Sequence, residues 1–273
     1  MNFPGHTLTL IVKGTFDLNH GDTATISEKQ FYPTGDEFYP DDDQQQNVRY
    51  ESDFAYYKPK TDLLLVGKFY PPQETSLATS TATFQVGNKG ATHQFSADAE
   101  PAGFGPVNKM GPQRSSKLGT YENSWLKERW PWYPLDFNWE YYNAAPKNMQ
   151  VNNYLRGDEP LICTNLHPKI PSYQTKLPGL RVRCFTDRLA SPDQDETEFA
   201  EIKMNLDTLW VDMEAEKLVL VWRGVTEVQS EDYDEITGLF IVSEQLDDSP
   251  RSIEDCRKDF LAALAAEDAP FEE

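Results

Sequence analysis

Two strand-length runs, Asn205–Val211 and Lys217–Trp222, are joined by the polar loop Asp212–Glu216 and point to a hairpin of β-strands. Runs of six or seven residues are too short for an ordinary helix, and their Leu, Val, Thr and Trp content suits a pleated surface. The same pattern recurs along the chain. Thr7–Phe16 sets Leu8, Leu10 and Val12 against Thr7 and Thr9, then meets the turn residues Asn19–Asp22. Asp62–Phe69 is a continuous apolar run, bounded by Lys60–Thr61 and Pro71–Pro72, which predicts a strand covered on both faces. Thr81–Val86 alternates and leads through Gly87–Gly90, a hairpin turn signal, into Ala91–Phe95. Leu180, Val182 and Cys184 share one face of a further strand, with Arg181, Arg183 and Phe185 on the other. Val228–Val242 predicts another strand pair, with Gly238 ahead of Leu239–Val242.

Helix signals are few. Asn123–Glu128 predicts a short helix stopped by Pro131. Ser252–Glu267 is the stronger one: Ser252 is placed as the N-cap, Asp255 follows three residues on, and Ile253, Cys256, Phe260, Leu261 and Leu264 supply an apolar face. It is expected to dock on its own domain, with partner binding as the alternative. The Pro- and Gly-rich stretch 97–120 predicts a long surface loop. The expected fold is therefore mainly β, an antiparallel β-sandwich-like domain over residues 1–250 with few short helices, followed by an acidic C-terminal helix and tail over 251–273.

At 273 residues the chain buries a core without metals or disulfides. Its net charge of −20 is uneven: residues 101–183 carry 6 acids and 11 bases, while residues 227–273 carry 15 acids and 3 bases. Such a field argues against nucleic acid and an anionic membrane as partners. The acidic end is expected to be a solvated surface, the alternative being an arm that steers toward a basic partner. Cys163, Cys184 and Cys256 form an odd set with no CxxC pair, so a reducing compartment is expected. The first residues hold no basic region before the apolar run Leu8–Val12, which is only strand-length; a cytoplasmic location follows as an expectation.

Catalytic patterns are missing from the sequence: no GxSxG elbow, phosphate loop, HExxH pair or HxE…CxxC set occurs. His6, His20, His93 and His167 stand far apart, and His167, in Asn165–Pro168, suits a turn. Cys163 and Cys184 lie in apolar strands as inert thiols. Asp41–Asp43 and Asp193–Glu198 lack the register of a calcium loop. No catalytic residue, metal site or cofactor is predicted, and the chain is not expected to be an enzyme.

The densest feature is residues 121–142, where nine of 22 residues are aromatic and four of the six tryptophans fall. Pro131 and Pro134 rule out a regular helix or an inner strand there. Ring packing of an irregular segment onto the sheet is the first expectation; a protein interface and a sugar platform are the alternatives. The candidate partner-binding residues are Trp125, Arg129, Trp130 and Trp132, with Phe260 and Leu264 of the terminal helix.

Six stretches carry a resemblance: Ile11–Phe16, Arg49–Val66, Pro101–Val107, Gly119–Pro146, Tyr154–Glu159 and Leu206–Gly224. In that order the chain resembles the bacterial family known as domain of unknown function 2169, whose genes lie in type VI secretion clusters. Longer members hold a segment before Pro101 that is missing here, and the acidic end after Gly224 is outside the resemblance. The resemblance implies a cytoplasmic, non-catalytic adaptor or chaperone that stabilises a toxic effector and helps load it onto a secretion-spike protein. A nuclease effector would offer a basic face to an acidic adaptor. The rival expectations are a glycan-active protein using the aromatic strip and a carboxylate pair, and an immunity-type inhibitor whose acidic end mimics nucleic acid.

Overall fold

The computed structural model describes residues 6–38, 48–72, 79–96, 138–189, 197–229 and 234–267. Its strands are β1 (His6–Asp17), β2 (Thr25–Ile26), β3 (Glu37–Phe38), β4 (Val48–Tyr50), β5 (Thr61–Val66), β6 (Thr79–Val86), β7 (Lys89–Ser96) and β8 (Gln150–Val151). They continue as β9 (Pro160–Thr164), β10 (Ser172–Lys176), β11 (Leu180–Leu189), β12 (Thr197–Ile202), β13 (Asn205–Asp212), β14 (Lys217–Val228) and β15 (Ile236–Gln245), before helix α1 (Ile253–Glu267). The protein is mostly β and sandwich-like, with an α-helix at the C-terminal end of the described residues, as the strand-length patterning predicts.

Contacts group the chain into two compact units that do not follow chain order. The larger takes Ile11–Pro178 and Asn205–Arg223; the smaller takes Met1–Leu10, Gly179–Met204 and Gly224–Glu273. The helix is grouped with strands of the smaller unit.

In the larger unit one sheet runs β2-β1-β14-β13-β5-β8 and another β10-β9-β6-β7. Every strand register described is antiparallel except β13 with β5, where Thr208 to Asp212 pair in parallel with Asp62 to Val66. The parallel pair departs from the expected antiparallel pattern. Parallel neighbours need a long crossover, and the chain between Val66 and Asn205 supplies it. All six residues of β5 are buried, as expected of a strand covered on both faces. The β6–β7 hairpin closes with Val86 opposite Lys89, and Gly87 takes φ +56°, a left-handed conformation that costs glycine little. In the β13–β14 loop, Asp212 Oδ1 accepts from the Glu214 and Ala215 amides at 2.9 Å each, which satisfies the turn locally.

The smaller unit holds the sheet β12-β11-β15. Residues facing each other across it alternate, so Phe185, Phe199 and Phe240 share the side on which α1 docks. Ser252 caps the helix as expected: its hydroxyl accepts from the Asp255 amide at 3.1 Å and donates to the Asp255 carboxylate at 2.7 Å. Cys256 and Phe260, one turn apart, are the buried side chains among those described in α1, and the Phe260 ring lies against Gly238, where an added Cβ would meet Cζ at 2.6 Å. Beside them the buried Arg183 guanidinium donates to both Glu201 oxygens at 2.8 and 2.7 Å, to Glu244 at 3.1 Å and to the Arg251 carbonyl at 2.7 Å.

This cluster sets a pH dependence. Burial pushes the Glu244 carboxyl up, but hydrogen bonds from Arg183 and Arg181 outweigh it and hold the group below its ordinary value of 4.5. A carboxylate whose folded value is depressed stabilises fully above the unfolded value and loses that contribution as pH falls through the folded one. Hydrogen exchange of the β15 amides is therefore expected to quicken as pH drops below 4.5, after correction for intrinsic rates, and an Arg183→Gln variant, which leaves Arg181 on Glu244, is expected to weaken that dependence.

Candidate interaction surfaces

In the larger unit an irregular connector, residues 51–60, crosses charged side chains of the sheet. A buried backbone without regular structure must find partners for its carbonyls. Arg223 supplies two, donating to the Asp53 carbonyl at 2.8 Å and the Ala55 carbonyl at 2.6 Å while its Nε holds Asp207 at 2.6 Å. Tyr154 supplies a third, its hydroxyl donating to the Lys58 carbonyl at 2.8 Å. Lys58 Nζ reaches Asp62 at 3.0 Å and Thr208 at 3.2 Å. Burial drives the Asp207 carboxyl above its usual value against the pull of Arg223 and Lys58. These groups are engaged with one another and with the connector, so they serve as its scaffold.

The scaffold fixes the wall of a pocket of about 480 Å³. Tyr50 and Trp210 form an aromatic floor, edge to face at 5.1 Å. Lys13 sits 4.2 Å from the Tyr50 ring centre and is pinned by Asp53 at 2.9 Å and the Tyr32 carbonyl at 2.9 Å. Burial, then the Asp53 carboxylate that accepts its hydroxyl at 2.7 Å, pushes the Tyr50 phenol upward, so it stays a donor. Arg49 lies over Trp210 and pairs with Asp212 at 2.5 Å, and Lys217 is tied to Asp17 and Ser27. Lys29, exposed at the lip, makes no ion pair with a described residue. Rings under fixed cations suit an anchor that carries both an apolar or aromatic body and a carboxylate. The sequence reading missed this pocket because its residues run from Lys13 to Lys217. The one available signal was the set Arg49, Tyr50 and Trp210, an arginine and two aromatics inside stretches that carry the family resemblance.

Trp125, Arg129, Trp130 and Trp132, the helix at Asn123–Glu128, the loop 97–120, the acidic loop Asp41–Asp43 and residues 193–196 of the second acidic loop lie outside the described residues, whereas Glu198 of that loop lies in β12. The end of the aromatic strip is described. Trp139–Tyr142 form a single 3-10 turn in which Trp139 stacks on Tyr56 at 5.6 Å and meets Tyr57 edge-on at 5.9 Å. This part packs by its rings, as first expected. Of the two helix residues expected at a partner surface, Leu264 is 40% exposed, whereas Phe260 is 4% exposed and belongs to the interior of the smaller unit, between Phe199 and Phe240.

His167 is a turn residue: its Nδ1 accepts from the Lys169 and Ile170 amides at 3.2 and 3.0 Å. Burial raises the Cys163 thiol to about 12 and the Cys184 thiol to about 11, the behaviour expected of unreactive cysteines. No helix among the described residues is long and apolar enough to cross a membrane.

A profile of a bacterial family, described as uncharacterized protein conserved in bacteria, domain of unknown function 2169, matches residues 5–97 and 89–223. The two stretches overlap at residues 89–97, and the match leaves out the acidic end beyond 223. The pocket falls wholly inside the matched residues, and β15 and α1 fall wholly outside them. No curated protein and no solved structure matches the chain.

Proposed function

The chain belongs to this bacterial family, and on that premise we propose that it is a type VI secretion adaptor and chaperone, which binds a toxic effector and delivers it to a spike protein by non-covalent contact. The observation that carries the reading is the pocket of the larger unit. Its Tyr50 and Trp210 floor under Arg49 and Lys13 has the composition in which binding energy concentrates at protein interfaces. Its lining holds four cations against two carboxylates in a chain of net charge −20, so an acidic anchor from a partner is favoured there over the rest of the surface. A family-wide surface suits the partner common to all members, the spike; the end outside the match suits the partner that differs, the effector.

The test is co-expression with the neighbouring effector gene, with and without this chain. Effector abundance is expected to fall when the chain is deleted, and unchanged abundance and solubility would reject the adaptor reading. Lys29→Glu reverses a charge at the lip without disturbing any described ion pair. It is expected to weaken spike binding roughly two- to tenfold, chiefly through the association rate and more at low salt. Surface plasmon resonance at two ionic strengths reads both.

A further inference from the structure

We propose that the outer edge of β15 is a docking edge, where a partner protein adds an antiparallel strand with apolar alternate residues and lysine or arginine at its ends. The proposal rests on the adaptor reading only in taking the partner to be a protein.

β15 pairs with β11 on one side and with no described strand on the other. Along this edge, alternate residues of the ten-residue strand have amide and carbonyl groups with no strand partner among the described residues, the template for strand addition. Natural edges are commonly blocked by charge, proline or shortness. The opposite edge of the same sheet, β12, carries the exposed charge of Glu198, while its Glu201 is held by Arg183. β15 carries a single charge, Glu244, and that carboxylate is turned inward onto Arg181 and Arg183 at 3.1 Å each. The residues it shows to solvent are Thr237, Leu239, Ile241, Ser243 and Gln245, of which Leu239 is 48% and Ile241 52% exposed. In a chain that is 26% charged, this outward row is neutral and apolar at its centre.

The flanks choose the occupant. The exposed Asp234 lies ahead of the strand and the exposed Asp247 and Asp248 follow it, while Glu235 is buried and accepts from the Gln229 amide. A second copy of this chain would set acids against acids in either strand direction, which like charges across a ladder oppose. A strand with basic ends meets both flanks with opposite charge. The acidity of the C-terminal end then acts as a selector on either side of a neutral docking strand.

The experiment uses the full chain and two ten-residue peptides, each with six alternating valines and threonines between two lysines at either end or two glutamates at either end. The lysine peptide is expected to slow hydrogen exchange within residues 236–245 and to bind less tightly as salt rises; the glutamate peptide is expected to do neither. Leu239→Lys/Ile241→Lys is expected to weaken the lysine peptide at least tenfold. Leu239→Thr/Ile241→Thr, which keeps strand propensity and adds no charge, is expected to weaken it less, with an unchanged melting temperature as the check on folding. Four results would each overturn the proposal. One is no protection of β15 by the lysine peptide, and another is equal protection by both peptides. The third is a concentration-dependent dimer of the chain that the double lysine variant abolishes. Fourth, if effector stability in co-expression depends on the chain but not on Leu239 and Ile241, the adaptor reading stands and this edge is rejected.

Discussion

Asp62→Ala is expected to destabilise the larger unit by about 3–5 kcal/mol, the cost of leaving a buried charge without its partner. The Asp62 carboxylate has no exposure and accepts four hydrogen bonds, from Lys58 Nζ at 3.0 Å, Asn143 Nδ2 at 3.0 Å and the Ala144 and Ala145 amides at 2.9 and 3.2 Å. Its removal leaves the Lys58 ammonium, itself 1% exposed, facing a cavity with Glu51 at 3.6 Å as the nearest carboxylate. For a unit of this size the melting temperature should fall by roughly 6–20 °C. Asp62→Asn keeps an acceptor and the shape, and should lose less. The sharper measurement is a double-mutant cycle with Lys58→Met. Removing both partners abolishes the orphaned charge, so the double variant should be more stable than the two single losses predict, by about 1–3 kcal/mol. Strict additivity would mean that the pair does not hold the connector, and that the backbone amides of Ala144 and Ala145 carry the effect.

Strand periodicity and helix capping are local, and that is why the β13–β14 hairpin, the doubly covered β5, the β6–β7 turn and the Ser252 cap were legible in the residues themselves. The parallel pairing of β13 with β5 joins residues far apart in the chain, and no turn signals it. The same distance hid Asp62 and Asp207: each looks like the polar member of a strand, and only the fold brings Lys58, Thr208 and Arg223 to them. At the C-terminal end the charge count and the periodicity agree: β15 pairs with β11 along nine residues of register and α1 packs on the same sheet. Asp234, Asp247, Asp248, Glu254, Asp255 and Asp259 are exposed in the turns and on the helix, the solvated surface expected of them. Partner surfaces were least legible, because an exposed leucine in an edge strand and a buried one in a central strand share the same alternating pattern.

Phe260→Ala is the second large effect, and its size is capped by how weakly α1 is held. Deleting a buried phenylalanine ring costs about 3–5 kcal/mol when the rest of the structure stays in place. Here the described side chains of the helix are exposed except at Cys256 and Phe260, and Phe260 meets Phe199 at 5.5 Å and Phe240 at 5.8 Å. If docking of the helix is worth less than the ring, the smaller unit will release α1 rather than bear the full cost, and the loss will saturate at the docking free energy. Hydrogen exchange separates the two regimes. Release predicts that amides throughout residues 253–267 lose protection together, with β11 and the larger unit unchanged. A retained helix predicts a uniform loss across β12-β11-β15. Leu264→Ala, at the surface, should shift neither by more than about 0.5 kcal/mol. Equal effects of the Phe260 and Leu264 variants would show that the helix does not dock through its buried ring.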